Sequence, residues 1–152
     1  MRFESVLAAL FASASLASVN LTYAQTGENM EITIIKPQQL EQEKGAPFAD
    51  LPFMKAANGT GGLVKNPVQF TSADGKLTSG PASFEKMTLE IDGFPVDEFM
   101  YLIEGEIEIT DAAGNVTKVG PGDAFVMPKG FKGTWRQLSP IKKFAVTYAP
   151  GE

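Results

Sequence analysis

The sequence is 152 residues long, 43% apolar, and contains neither histidine nor cysteine. A chain of this length can bury one hydrophobic core, so the composition predicts a single folded domain and excludes a disordered chain. The formal net charge of -5 at pH 7 argues against nucleic acid as a partner, and the absence of cysteine excludes disulfide bonds and thiolate chemistry.

The first 24 residues are typical of a cleavable secretory signal. An apolar run extends from Val6 to Val19, and small residues precede a possible cleavage site after Ala24. We therefore expect residues 1–24 to be removed and the mature protein, beginning near Gln25, to be exported to the periplasm or secreted. No later segment approaches the roughly 20 apolar residues of a membrane span, so we expect no membrane association after cleavage.

The segment after the signal predicts short elements and long loops. The β-branched run from Glu31 to Lys36 predicts a strand that ends at Pro37. Glycine and proline then interrupt the chain repeatedly as far as Lys65, and residues 38–44 have room for one helical turn at most. We assign residues 25–80 to an N-terminal arm of strands and loops and residues 81–150 to the core of a β-barrel.

From Val64 onward, short alternating runs are separated by turn residues every eight to twelve positions, a pattern typical of an all-β sandwich or barrel. A strand from Phe84 to Ile91 would place its apolar residues on one face. Residues 98–103 carry apolar side chains on both faces beside Glu98, which predicts a central strand covered on both faces rather than an exposed edge. The other predicted strands form a hairpin over 106–119 and two single strands over 124–127 and 141–148.

Three motifs carry a resemblance to a known family. They are residues 97–105 (DEFMYLIEG), 122–128 (GDAFVMP) and 130–135 (GFKGTW). The stretch from Ser83 to Val146 resembles the cupins, and more narrowly the small cupins related to (S)-ureidoglycine aminohydrolase. The resemblance implies an all-β, single-domain cupin, that is, a double-stranded β-helix or jelly-roll barrel, and it implies a homodimer.

The same resemblance implies where metal ligands would lie, and this chain has other residues there. Alignment on Glu98 and Gly105 puts Asp92 and Phe94 at the paired histidines of the cupin pattern, or Ile91 and Gly93 if the spacer is longer. Alignment on the second motif puts Gly133 at the third histidine and Gln137 at an asparagine. Because imidazole and thiolate ligands are both absent, we predict no tightly bound metal and no cofactor.

Glu98 is the candidate catalytic residue. A carboxylate that points into an apolar barrel could act as a general acid or base, or could pair with a cationic group of a ligand. Alternatively, Glu98 pairs with a neighbouring basic side chain, because such networks are also common structural features. The sequence leaves both interpretations open.

Six further residues are candidates for ligand binding. Trp135, the only tryptophan, alternates with Phe131 and Gly133 and could form an aromatic wall for a ligand or pack in the core. If Gly133 replaces an imidazole, it would leave free space inside the barrel. The six candidates are Asp92, Phe94, Tyr101, Phe131, Trp135 and Gln137.

Charge is distributed unevenly along the barrel segment. Residues 85–111 contain nine acidic residues and one basic residue, whereas residues 112–151 contain one acidic and six basic residues. Strands from these two segments lie close together in a β-sandwich, so we expect cross-strand ion pairs on an outer face. The alternative is a basic rim that attracts a carboxylate ligand.

These observations favour an exported cupin-domain protein that binds a small polar molecule in its barrel without a histidine-held metal. Two alternatives stay open. One is an enzyme resembling the ureidoglycine aminohydrolases that acts on a small ureido or amino acid compound. The other is a structural barrel without catalytic activity. A classical metal-dependent cupin enzyme is disfavoured because the sequence lacks the ligands.

Overall fold

The computed structural model of the protein describes residues 31–59 and 61–150. Within these residues the chain forms strands and one short 3₁₀ helix, Pro37–Glu41. The strands are β1 (Ala46–Pro47), β2 (Met54–Ala56), β3 (Leu63–Lys65), β4 (Phe70–Thr71), β5 (Leu77–Phe84), β6 (Thr88–Asp92), β7 (Asp97–Glu104), β8 (Ile107–Asp111), β9 (Val116–Val119), β10 (Ala124–Met127), β11 (Lys132–Gln137) and β12 (Ile141–Tyr148).

The strands form two antiparallel sheets that enclose one core. The first sheet has the order β1-β3-β5-β12-β7-β10, with β4 also paired to β5, and the second has the order β2-β6-β11-β8-β9. Strands that follow each other in the chain often lie in different sheets, as in a jelly roll. The predicted all-β jelly-roll barrel is therefore confirmed. Buried side chains from both sheets form the core, among them Leu89, Ile91, Phe94, Met100, Leu102, Ile107, Trp135 and Ile141.

The C-terminal half of the barrel follows the alternation of its sequence. The predicted hairpin is formed by β8 and β9, and β10 and β12 span the predicted segments. The predicted strand over 84–91 is divided in two, because Phe84 ends β5 and Thr88 begins β6. Leu89 and Ile91 nevertheless share the buried face that the pattern predicts.

Gly105, at the end of the first motif, is required by its surroundings. Its backbone adopts a φ of 91°, and a Cβ atom there would lie 2.4 Å from the carbonyl oxygen of Pro140. Any side chain would meet both an unfavourable backbone conformation and a backbone atom that cannot move aside. The turn after β7 can therefore close against Pro140 only with glycine.

Strand β5 contains Gly80 and Pro81, two residue types that are more common in turns. The strand pairs with β12 along its whole length, whereas on its other side β3 and β4 pair only with its two ends. The proline, which has no N–H to donate, lies in the gap between those two pairings. The predicted boundary at residue 81 consequently falls inside β5, and β1 to β4 belong to the two sheets of the barrel.

The predicted strand over residues 31–36 is wrong for the described chain. These residues are extended but form no ladder, and Ile32 and Ile34 are 92% and 66% exposed. A strand needs a neighbour for its backbone groups, and no described strand pairs with this segment. The single short turn of helix that follows agrees with the expectation of one turn at most.

Strand β7 is a central strand, as predicted, because it lies between β12 and β10, but the described residues do not cover both of its faces. Met100 and Leu102 point into the core, but Phe99 and Tyr101 on the opposite face are 44% and 40% exposed. Their neighbours across the ladders, Val126 on β10 and Val146 on β12, share that outer face. The outer face of the first sheet is therefore unusually apolar.

The predicted signal sequence, residues 1–24, lies outside the described residues. Among the residues described, no helix is long and apolar enough to cross a membrane.

Candidate functional site

A cavity of about 100 Å³ lies between the two sheets. Its walls are mainly apolar, and its opening is near the exposed residues Pro47 and Ala49. Apolar walls with a few polar groups are typical of small-molecule sites. The lining side chains that carry hydrogen-bonding groups are Asn66, Glu98, Trp135, Gln137, Lys143 and Thr147.

Glu98 and Lys143 form a buried ion pair in this cavity. The Nζ atom of Lys143 donates to Oε1 of Glu98 over 2.8 Å, and the two side chains are only 8% and 9% exposed. Among the described residues that line the cavity, these two are the only ionisable ones. Because removal of two charges from water is costly, the pair is the principal electrostatic feature of the barrel interior.

The alternation of β7 and β12 explains why both side chains point inward. Thr147 lies opposite Glu98 in the ladder and Lys143 lies opposite Leu102, so all four residues share the inner face. The inward position between Lys143 and Thr147 is Ala145, whose small side chain leaves room for the lysine to extend towards Glu98. The pairing register of β7 and β12 therefore places Glu98 and Lys143 close together on the inner face.

Aromatic and sulfur groups complete the surroundings of the ammonium. The Nζ atom of Lys143 lies 5.4 Å from the centroid of the Trp135 ring and 5.5 Å from that of Phe84. It also lies 3.0 Å from Sδ of Met100, a weak acceptor. Cation–π contacts of this kind contribute more when water is excluded, so the aromatic rings help to compensate the ammonium for lost hydration.

Gln137 holds Trp135 in place. In the amide orientation that satisfies both neighbours, its oxygen accepts from Nε1 of Trp135 over 3.2 Å, and its nitrogen donates to the backbone oxygen of Glu85 over 2.6 Å. A buried indole N–H normally requires such an acceptor. Gln137 is thus a positioning residue for the aromatic wall of the cavity.

The structure brings four of the seven candidate site residues together. Glu98, Phe94, Trp135 and Gln137 all line the cavity. Asp92, Tyr101 and Phe131 do not. Binding of a ligand by the four lining residues stays a prediction, and Lys143 joins them as a residue that sequence reasoning placed elsewhere.

Asp92 lies on the outer surface and not at the barrel centre. Its side chain is 80% exposed and forms an ion pair with Lys132 over 2.7 Å. The hydrogen bond and the charge of Lys132 hold the pKa of Asp92 below its usual value, and the same contacts raise the pKa of Lys132. The alignment with the first histidine put Asp92 inside, but the alternation of β6, in which Ile91 is buried, puts it outside.

Tyr101 and Phe131 are also outside the cavity. Tyr101 is three residues from Glu98 on one strand, and residues an odd number apart point to opposite faces. Phe131 precedes β11 in a turn, where its backbone oxygen accepts from the amides of Gly93 and Phe94. Its ring packs against the edge of the core.

Gly133 does not leave the space that its alignment with a histidine predicts. A Cβ atom at this position would lie 2.0 Å from the backbone oxygen of Thr110 on the neighbouring strand. The position therefore accommodates no side chain, and the cavity arises elsewhere, around Lys143 and Trp135.

Most of the basic residues after 111 follow the predicted pattern of cross-strand ion pairs. Glu108 contacts Lys118 and Arg136, and Glu104 contacts Lys142, all on exposed faces. Lys143 is the exception to this pattern, because its ion pair is buried. The charge distribution of the sequence had placed it on the outer face together with Lys142. The alternation of β12 was the available signal, since adjacent lysines on one strand must point to opposite faces.

Comparison with known proteins supports one fold class. Residues 91–145 match the family model of the EutQ-like cupin domain. The EutQ protein of Clostridium difficile is 22% identical with a TM-score of 0.53, over 64% of this chain and 75% of that protein. A protein of unknown function from Rhizobium leguminosarum bv. viciae is 21% identical with a TM-score of 0.55, over 81% of this chain and 100% of that one.

A further protein of unknown function, from Pseudomonas syringae pv. tomato, is 19% identical with a TM-score of 0.57, over 69% of this chain and 44% of its own length. No curated protein matches the sequence. Together with the two-sheet topology, these matches show the cupin fold. Residues 91–145 are thus similar to a cupin domain, and the chain has the cupin fold.

The histidine-held metal of the cupin pattern does not fit the residues present. No group of three or more histidine, cysteine, aspartate or glutamate side chains converges among the described residues. The carboxylate of Glu98 already accepts from an ammonium, and a divalent cation beside that ammonium would be repelled. A positive charge therefore lies beside Glu98, but it is the ammonium of Lys143 and not a metal ion.

Loss of one partner of the buried pair should destabilise the protein strongly. Lys143→Met leaves the carboxylate of Glu98 buried without its partner, which we expect to lower the free energy of unfolding by roughly 3–5 kcal/mol. The double variant Glu98→Gln/Lys143→Met should regain most of that loss, because no buried charge is then unpaired. Urea denaturation of the single and double variants measures both values.

The neighbouring pair Glu104–Lys142 provides the matched control, since it joins the same two strands on the exposed face. Lys142→Met should cost less than about 1 kcal/mol. Equal losses for Lys142→Met and Lys143→Met would contradict the importance of the buried pair.

Proposed function

We propose that this protein is an exported cupin-domain protein that binds a small polar molecule inside its barrel, without a histidine-held metal. The observation that carries the proposal is the ion pair between Glu98 and Lys143 at the wall of a cavity. If the ion pair had only a structural role, we would expect packed side chains to surround it on all sides. Here both members of the pair face space that a ligand could fill.

The cost of the pair supports a role beyond stability. Apolar side chains of similar volume are often as stabilising as a buried ion pair or more so. Small-molecule sites combine an apolar wall with a few fixed polar groups that orient the ligand. Glu98 and Lys143 supply those groups, and Trp135 with Phe94 supplies part of the wall.

The alternative of a structural barrel is favoured by the number of polar contacts that the interior makes with itself. Thr78 and Thr147 share a hydrogen bond, and Gln137 is satisfied by Glu85 and Trp135. The enzyme alternative retains Glu98 as a proton-transferring group acting on a small ureido or amino acid compound, as the narrower resemblance implies. It differs from simple binding in that the bound compound would be consumed.

The apolar outer face of the first sheet supports a homodimer. Phe99, Tyr101 and Val126 expose a continuous apolar surface, and the strand-like segment with Ile32 and Ile34 has no partner strand in the described chain. Apolar patches of this kind commonly mark interaction sites. In a twofold-symmetric pair each copy meets the other with the same surface, so a second copy can cover both features at once.

A thermal-shift screen against small metabolites tests the binding proposal. A ligand present at ten times its Kd should raise the melting temperature of the wild-type protein by roughly 3–6 °C. The shift should disappear in Lys143→Met and persist in Lys142→Met. A blank screen together with solid packing of the cavity would favour the structural barrel. Consumption of the ligand by the wild type but not by Glu98→Gln would favour the enzyme.

The homodimer is tested by light scattering after size-exclusion chromatography. We expect the wild type to have the mass of two copies and Phe99→Thr/Val126→Thr to have the mass of one, because the double substitution removes apolar area from the proposed interface. Val116→Thr, at an equally exposed position on the other sheet, should remain a dimer. A monomeric wild type would refute the proposal.

Export is tested by the mass of the mature chain. We expect protein recovered from the periplasm or medium of a Gram-negative host to begin at Gln25, as read by intact mass spectrometry. Leu10→Arg should leave the full-length chain in the cytoplasm, because a charge interrupts the apolar run that the export machinery recognises. A full-length chain with an intact Met1 outside the cytoplasm would refute the predicted cleavage.

A further inference from the structure

We propose that the ligand is an uncharged planar molecule of the primary-amide type, with a hydrogen-bond donor and an acceptor side by side. This inference rests on the proposed binding function and names the chemical class of the ligand. Three properties of the cavity carry it: its net charge, its hydrogen-bonding groups and its size.

The net charge of the cavity wall is zero. Within the part of the chain that the structure describes, Glu98 and Lys143 are its only ionisable residues, and they neutralise each other over 2.8 Å. A charged ligand would add one uncompensated charge to a site with mainly apolar walls, which is strongly unfavourable. A neutral ligand avoids this cost.

The pair leaves one donor and one acceptor available. An ammonium has three N–H groups, and Lys143 uses one for Oε1 of Glu98 and directs another at the weak acceptor Sδ of Met100. A carboxylate has two oxygens, and among the described residues only Oε1 of Glu98 has a hydrogen-bond partner. A ligand carbonyl can accept from Lys143 while its N–H group donates to Oε2 of Glu98, as both groups of a primary amide do.

The size of the cavity limits the buried part of the ligand. An apolar cavity of roughly 150 Å³ holds benzene, so the 100 Å³ found here correspond by proportion to about four non-hydrogen atoms. A planar group of this size fits beside the indole of Trp135. At the ligand-efficiency ceiling for very small ligands, a buried group of this size binds on its own with a Kd no tighter than about 40 μM.

Three isosteric probes separate charge from shape. Acetamide, acetate and acetamidinium are planar, have four non-hydrogen atoms each, and carry no charge, one negative charge and one positive charge. Trp135 is the only tryptophan of the chain and lines the cavity, so intrinsic fluorescence reports binding at this site alone. We expect acetamide to bind the wild-type protein at least tenfold more tightly than either ion in millimolar titrations.

Charge variants should reverse the preference. Glu98→Gln gives the cavity a net positive charge, so acetate should become the tightest of the three probes. Lys143→Met gives it a net negative charge, so acetamidinium should do so. Lys142→Met should retain the wild-type order. If Lys143→Met does not fold, Glu98→Gln and the wild-type series still decide the question.

The outcomes distinguish this inference from the function on which it rests. Tighter binding of acetate or acetamidinium than of acetamide by the wild type would overturn the neutral-ligand inference and leave the binding function intact. Absence of binding by all three probes, together with a blank thermal-shift screen, would overturn both.

Discussion

The contact between Glu98 and Lys143 is the interaction on which the interior of this barrel depends. Both side chains leave water to make it, so each needs the other to remain buried, and the strands that carry them are held in one register. The aromatic rings of Trp135 and Phe84 lie around the ammonium, and Gln137 fixes the indole. Lysine thereby provides the positive charge that a metal supplies in the cupin pattern.

On two strands of the first sheet, charged side chains point inward beside the core residues and aromatic side chains point outward. On β7 the inward residues include Glu98 and the outward residues include Phe99 and Tyr101, and β12 follows the same order with Lys143 inside. A single chain would not normally expose that much apolar surface. The buried ion pair and the apolar surface of the proposed homodimer thus have the same origin. Both follow from which residues of β7 and β12 point inward and which point outward.

The sequence predicts the β-architecture well because turn glycines and strand alternation are local properties. It places β8, β9, β10 and β12. It misses β5, since the gap in pairing that admits Pro81 depends on strands distant in the chain. It identifies Glu98 but not Lys143, because alignment with histidine positions cannot reveal a partner on another strand. It misplaces Asp92 because the alignment ignores the alternation of β6, in which Ile91 is the buried residue.

The close approach of Gly133 to the neighbouring strand has a consequence for protein engineering. A transplanted imidazole at this position would have to displace the backbone of Thr110, and one at position 92 would extend into solvent. Even a successful graft would leave the ammonium of Lys143 beside Glu98, where it would repel a cation bound to that carboxylate. Conversion of this barrel into a metalloprotein would therefore have to begin with removal of that lysine and a rebuilt β11.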